Sequence, residues 1–222
     1  MVSNEQEHAE GIAAAKTALA QKRCIVLPTD TVYGIGADAF SPQGVAMLLA
    51  AKGRGRTMPP PVLIAQSATM DGLARDIPDA ARKLAEAFWP GGLTLILQAQ
   101  PSLTWDLGET RGTVGLRVPN DDTALELLRE TGPLAVSSAN RTGQPAALDV
   151  DSALEQLGES VDVYLDGGSR GESGDDVAPS TIIDCTGEFL KVVRAGAISI
   201  QELRVVVPEV LDLGQDAPGQ DA

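Results

Sequence analysis

The feature that most constrains this chain is a set of short apolar runs that break directly into polar loops. Cys24-Ile25-Val26-Leu27 runs into Pro28-Thr29-Asp30-Thr31, and Leu134-Ala135-Val136 runs into Ser137-Ser138-Ala139-Asn140. Runs this short, bounded by turn residues, read as buried strands rather than helices. Further strands are expected over 62–64, 93–97, 113–118, 161–165, 180–184, 190–194 and 203–207. Helical spacing recurs between them. Ile12, Ala15 and Leu19 place a helix over about 10–22, and Val45, Leu48 and Leu49 another over 42–51 with Pro42 in its first turn. Helices are also expected over 78–88, over 121–131 with Asp121 or Asp122 as the cap, and over 149–158. Helices interspersed with strands give an α/β (α+β) domain, an open twisted mixed sheet with flanking helices, spanning 10–207. Residues 1–9 and 208–222 read as flexible termini, the latter holding four acids and no basic residue. The longest loops follow apolar strands, where ligand sites in open α/β sheets lie.

Charge and rare residues narrow the chemistry. The formal net charge of −14 argues against bulk attraction to nucleic acid but leaves room for a local basic groove. Twelve of the 17 basic residues are arginine, the side chain suited to planar contact with carboxylate or phosphate. His8 is the sole histidine, which excludes a histidine triad or a histidine zinc centre. Cys24 and Cys185 lie far apart beside apolar residues and read as buried thiols. No run approaches the roughly 18 apolar residues of a membrane span. The polar, acidic start lacks a secretory pattern. A cytoplasmic protein is expected.

Four segments put polar groups at strand ends. Pro28 to Gly36 combines hydroxyls, Asp30 and two glycines, and reads either as a ligand loop or as a structural turn with Tyr33 packed in the core. Lys52-Gly53-Arg54-Gly55-Arg56 sets three cations on a glycine loop, either a polyphosphate site or a solvated basic surface. Arg117 interrupts the apolar strand Val114 to Val118 and needs a partner, whether a protein carboxylate or a ligand carboxylate. Ser137 to Gly143 can read a nucleotide by hydrogen bonds or form a small-residue turn. With no base in sight, Ser138 is assigned to binding rather than to nucleophilic attack. Neither a Walker loop nor a GxGxxG signature occurs, so any ATP binds outside those cradles.

These segments carry a resemblance. PTDTVYGIGADA at 28–39, KGR at 52–54, WPGGLTLIL at 89–97, VGLRVP at 114–119, SSANRTG at 137–143, STIID at 180–184 and VVRAGAI at 192–198 occur in the order found in the YrdC/Sua5 family. The chain is similar over nearly all of 10–205 to the short form of the threonylcarbamoyl-AMP synthases. The resemblance implies a YrdC-like catalytic domain with a large positively charged cleft. It implies synthesis of L-threonylcarbamoyladenylate and pyrophosphate from L-threonine, bicarbonate and ATP. It further implies that the product passes to the tRNA threonylcarbamoyl-transfer machinery for modification of adenosine 37 (t6A37).

By position, the resemblance makes Lys52 and Arg54 the catalytic pair, facing the bicarbonate-derived group and the phosphates. Thr31 and Tyr33 would form the threonine pocket, and Arg117 would clamp the threonine carboxylate. Ser138 and Asn140 would lie against the nucleotide, Ser180 against a phosphate or ribose, and Arg194 along the phosphate chain. Many relatives have proline directly after the KxR arginine. Here Gly55 and Arg56 follow and Met58-Pro59-Pro60-Pro61 lengthens the loop, which raises Arg56 as an extra phosphate ligand. Mg²⁺ is expected with ATP, with its ligands unassigned and Asp30 and Asp38 the nearest carboxylates in sequence. The second domain of longer relatives is not expected.

Two other readings compete. One is a non-enzymatic module that binds double-stranded RNA or nucleotide in the same cleft, or an enzyme with weak RNA binding. The other is a related carbamoyl-handling enzyme, although the long chains and cysteine motifs of the hydrogenase-maturation proteins have no counterpart here.

Overall fold

The computed structural model describes residues 5–171 and 177–215. Seven α-helices and ten strands are interspersed along the described residues: α1 Glu5–Ala20, β1 Ile25–Leu27, β2 Gly34–Asp38, α2 Pro42–Ala51, β3 Val62–Leu63, α3 Met70–Leu73, β4 Ala74–Arg75, α4 Asp79–Phe88 and β5 Leu93–Ala99. There follow β6 Thr113–Arg117, α5 Asp122–Thr131, β7 Leu134–Ser138, α6 Val150–Leu157, β8 Val163–Tyr164, β9 Thr181–Asp184, β10 Lys191–Arg194 and α7 Ile200–Val206. All ten strands join one mixed sheet, ordered β10-β9-β5-β6-β3-β7-β2-β1-β8, with β4 paired to β5. β1/β8, β3/β6 and β5/β9 are parallel and the remaining pairs antiparallel.

Side-chain alternation sorts the core onto two faces. Ile25 and Leu27 join Leu134 and Val136 against Ile12 and Leu19 of α1 and Leu127 and Leu128 of α5. Val26 and Ala135 point the other way, into a larger cluster with Val45 and Leu48 of α2 and Leu95 and Leu116 of the central strands. Local signals set the helix ends. The Ser41 hydroxyl accepts from Gly44 N before Pro42 opens α2. Asp121, one of the two expected caps, accepts from Ala124 N, and Gly132 at φ +80 ends α5. Both cysteines are buried and free. Burial pushes the Cys24 thiol up to about 12 and that of Cys185 upward too, so neither is poised as a nucleophile.

Four expectations are corrected. The strand expected over 203–207 is the helix α7. The β-branched run misleads, but Ser199 and Glu202 close a reciprocal capping box, and Leu203 and Val207 are buried while Val205 is exposed. The glycine-rich stretch after Tyr33 is a strand, β2. A Cβ on Gly34 would come within 2.5 Å of Val136 Cγ1, so glycine is what lets β2 lie between β1 and β7. The N-terminal helix begins at Glu5, inside the segment read as flexible, while residues 1–4 lie outside the described residues. At the other end Val210 is buried and Leu211 bridges Lys191, so 208–215 packs on the sheet edge rather than trailing off. Residues 216–222 lie outside the described residues.

Candidate active site

The loop between β1 and β2, the ends of β6, β7 and β10, and the residues before β3 and β9 converge on one open cleft of about 720 Å³. Thr31 and Tyr33 come from the β1–β2 loop, Arg54 from the loop after α2, and Arg117 from the end of β6. Ser138 ends β7, Ser180 precedes β9 and Arg194 ends β10. Three guanidiniums thus line the cleft, and among the described residues no carboxylate does. The sequence places these residues far apart. Antiparallel pairing of β2 with β7 and parallel pairing of β3 with β6 and β5 with β9 bring them together.

Each arginine is held differently. Arg117 is almost fully buried and its Nη2 donates to Asp30 Oδ1 at 2.7 Å. Its Nη1 donates to Thr31 Oγ1 at 3.0 Å and its Nε to Gly91 O at 2.9 Å. Asp30 Oδ1 also accepts from Asn120 N, fixing the carboxylate that fixes the arginine. The partner that the sequence left open is therefore a protein carboxylate, on a guanidinium that still fronts the cleft. Arg194 donates through Nη2 to both Ser180 O and Ser180 Oγ, and Ser180 Oγ meets Thr94 Oγ1 at 2.9 Å. Arg54 reaches Ser137 Oγ at 2.9 Å, while its buried Nε has no partner.

Burial lowers the pKa of all three arginines, and for Arg194 the charges of Arg117 and Arg54 lower it further. Guanidinium stays protonated regardless, so the arrangement is a standing concentration of positive charge. Like charges gathered in a partly buried cleft are stabilised by an anion, and a planar guanidinium fork suits phosphate oxygens.

Lys52, Asn140 and Arg56 do not line the cleft. Lys52 is buried, and its Nζ donates to Ser138 O, to Asn140 O at 2.6 Å and to Asn140 Oδ1 at 3.4 Å. Asn140 Nδ2 in turn donates to Arg141 O and Gln144 O. Both side chains are committed to the turn beneath Ser138. Arg56 lies half-exposed against Asp106. Asp38 caps a turn through Phe40 N and Asp30 is tied to Arg117. Among the described residues no group of three or more His, Cys, Asp or Glu side chains is placed to hold a metal ion. The sequence reading placed Thr29 and Ser137 inside candidate ligand segments without giving either a role, and it missed Thr94 as a cleft residue. The signal for Thr94 was present, a lone hydroxyl in the apolar run Leu93 to Leu97.

Tyr33 is fully buried. Its hydroxyl donates to Gly168 O at 2.7 Å and accepts from Gly167 N at 2.9 Å, and Arg170 stacks 5.5 Å above its ring. It serves the cleft as a fixed wall.

Burial, then the charge of Arg54, pushes the Lys52 ammonium down to about 8. Three facing oxygens match the three donors of an ammonium. Lys52→Met is expected to destabilise the fold by about 1–3 kcal/mol at neutral pH, because those buried acceptors lose their donor. The folded value lies below the unfolded one, so the unfolded chain holds more protons between about 8 and 10.5. Wild-type stability therefore rises with pH through that window, and Lys52→Met lacks the rise. Urea titrations at several pH values check both. Equal midpoints and parallel pH curves would overturn the bracing role.

The family model described as "Telomere recombination" (Sua5/YciO/YrdC) matches residues 17–196. The chain belongs to the Sua5/YciO/YrdC family. A Mycobacterium leprae member with the provisional name threonylcarbamoyl-AMP synthase is 52% identical over 205 residues, covering 92% of this chain and 91% of that one. The Bacillus subtilis threonylcarbamoyl-AMP synthase is 33% identical over 88% of this chain and 56% of its own length. Among solved structures, Pyrococcus abyssi Sua5 complexed with L-threonine superposes with a TM-score of 0.86 at 29% identity, over 97% of this chain. This chain spans 62% of that Sua5 member, so the shared part is one open α/β unit of a longer chain. The family assignment agrees with the resemblance carried by the motifs, and the mixed sheet with flanking helices is the expected fold. No helix among the described residues is long and apolar enough to cross a membrane.

Proposed function

We propose that this chain is a threonylcarbamoyl-AMP synthase whose active site is the arginine cleft. It joins L-threonine, bicarbonate and ATP into L-threonylcarbamoyladenylate and releases pyrophosphate. The observation that carries this reading is the convergence of Arg54, Arg117 and Arg194 on one cleft. Relatives of the same family named for this reaction support it.

The reaction asks for charge and position rather than for a base. Threonine's amine and bicarbonate give a carbamate with loss of water. A carbamate oxygen attacks the ATP α-phosphorus, the bond to the bridging oxygen breaks, and pyrophosphate leaves with that electron pair. The nucleophile is already anionic, so a chain with a single histidine suffices. The barrier lies in bringing anions together, and fixed guanidiniums offset their repulsion while the cleft orients them.

Arg117, with Thr31 beside it, takes the threonine carboxylate, and Tyr33 walls that end. Arg54 and Arg194 take the phosphates, with Ser138 and Ser180 as hydroxyl partners. An adjoining cavity of about 450 Å³, lined by Pro59, Pro60, Leu107 and Val114, is apolar and suits the adenine base. Lys52 and Asn140 act from beneath by holding the turn that presents Ser138. Mg²⁺ bound to the ATP phosphates would supply further neutralising charge there. The product then serves a tRNA threonylcarbamoyl-transfer machinery, and the enzyme works in the cytoplasm.

Pyrophosphate release is expected to require threonine and bicarbonate together, with the adenylate seen by mass spectrometry. A nucleotide- or RNA-binding module would release none, and that result would overturn the assignment. Activity with another amino acid in place of threonine would point to the related carbamoyl chemistry.

A further inference from the structure

The loop that carries Arg54 is fastened on its outer side, at Arg56. The Arg56 guanidinium meets Asp106 Oδ1 at 2.7 Å, and the same oxygen accepts from Gly108 N at 3.1 Å. The Arg56 carbonyl accepts from Glu109 N at 2.8 Å. Gly108 sits at φ +104, and a Cβ there would lie 2.7 Å from Arg56 O. Glycine is thus required on two counts, backbone conformation and close approach. Next to Asp106, Trp105 stacks on Phe40 with ring centroids 5.5 Å apart, which anchors the far side of the segment.

The two fastened segments are the facing walls of the apolar cavity. Pro59 and Pro60 follow Arg56 on one side, and Leu107 and Thr110 flank Gly108 on the other. That cavity shares Pro59, Pro61, Thr94 and Ile182 with the arginine cleft. The spacing of its walls is therefore set where Arg56 meets Asp106, Gly108 and Glu109.

We propose that Arg56, Asp106 and Gly108 form a clasp that positions the walls around the nucleotide base, and that Arg56 is not a phosphate ligand. The inference rests on the adenylate-forming reading, because it takes the cavity's occupant to be a nucleoside. The three are positioning residues, since they act through Pro59, Pro60 and Leu107 rather than by touching the reacting atoms.

Calorimetric titration with ATP and with inorganic tripolyphosphate separates the roles. Tripolyphosphate uses the arginines and leaves the apolar cavity empty. Arg56→Ala and Asp106→Ala are each expected to weaken ATP about threefold, as befits a half-exposed ion pair. The double variant should lose no more than either single one, because both remove the same contact. Gly108→Ala should weaken ATP about tenfold through backbone strain and displacement of the loop. All four variants should bind tripolyphosphate like the wild type, whereas a general loss of structure would weaken both ligands. If Arg56→Ala weakens tripolyphosphate as much as ATP while Asp106→Ala weakens neither, Arg56 is a phosphate ligand and the clasp is wrong. Additive losses on ATP, or unchanged ATP affinity in Gly108→Ala, also overturn it. A wild-type protein that binds no ATP removes the adenylate reading and this one with it. A wild type that forms the adenylate while Gly108→Ala binds ATP normally removes only the clasp.

Discussion

Arg117→Ala is expected to weaken L-threonine binding by about 2–5 kcal/mol, the range for losing one member of a buried charged pair. It is also expected to destabilise the fold. The guanidinium is buried and donates to Asp30, Thr31 and Gly91 O. Its removal leaves the Asp30 carboxylate, only 16% exposed, without its cation. Breaking such a pair costs about 3–5 kcal/mol of stability. Arg117→Lys keeps the charge but not the fork, so it should retain more of the fold while still binding threonine poorly. Calorimetry with threonine and urea unfolding of both variants give the answer. Normal threonine affinity in Arg117→Lys would show that the arginine serves only Asp30.

The opposite signature is expected at Arg54. Its guanidinium donates to Ser137 Oγ, its Nε is buried without a partner, and burial lowers its pKa. The folded protein carries this cation at a cost, so Arg54→Ala should leave the urea midpoint unchanged or raise it. Adenylate formation at saturating substrates should fall by about 10²–10³, the scale for losing one preorganised partner to developing charge. A stability cost without a rate effect would make Arg54 structural. Loss of function at Arg117 thus comes with loss of stability, and at Arg54 without it. The difference follows from Asp30, which pairs with one arginine and not the other.

Much of the cleft was legible before any fold was known, because its chemistry is concentrated at strand ends. Thr31, Arg117 and Ser138 each stand where an apolar run stops, and burial of such a residue calls for a partner or a ligand. Less legible was which cations line the cleft. Lys52 and Arg54 are two residues apart and look equivalent in sequence. Only the turn after β7, packed against Lys52, takes its ammonium for Ser138 O and Asn140 and leaves Arg54 to the cleft. Arg56 reads in sequence as a third phosphate ligand, and the structure sets it against Asp106, fifty residues on. At the edges, the run ending in Val207 carried strand-forming residues, and a capping box together with burial at helical spacing made it α7.

The sequence by itself determined the α/β class, the buried strands and the family, because these follow from apolar periodicity and from motifs read along the chain. Tertiary structure decided which charged side chain has a protein partner and which is left to face a ligand. That depends on distances between segments dozens of residues apart, and electrostatic energies are set by those distances and by burial rather than by order along the chain.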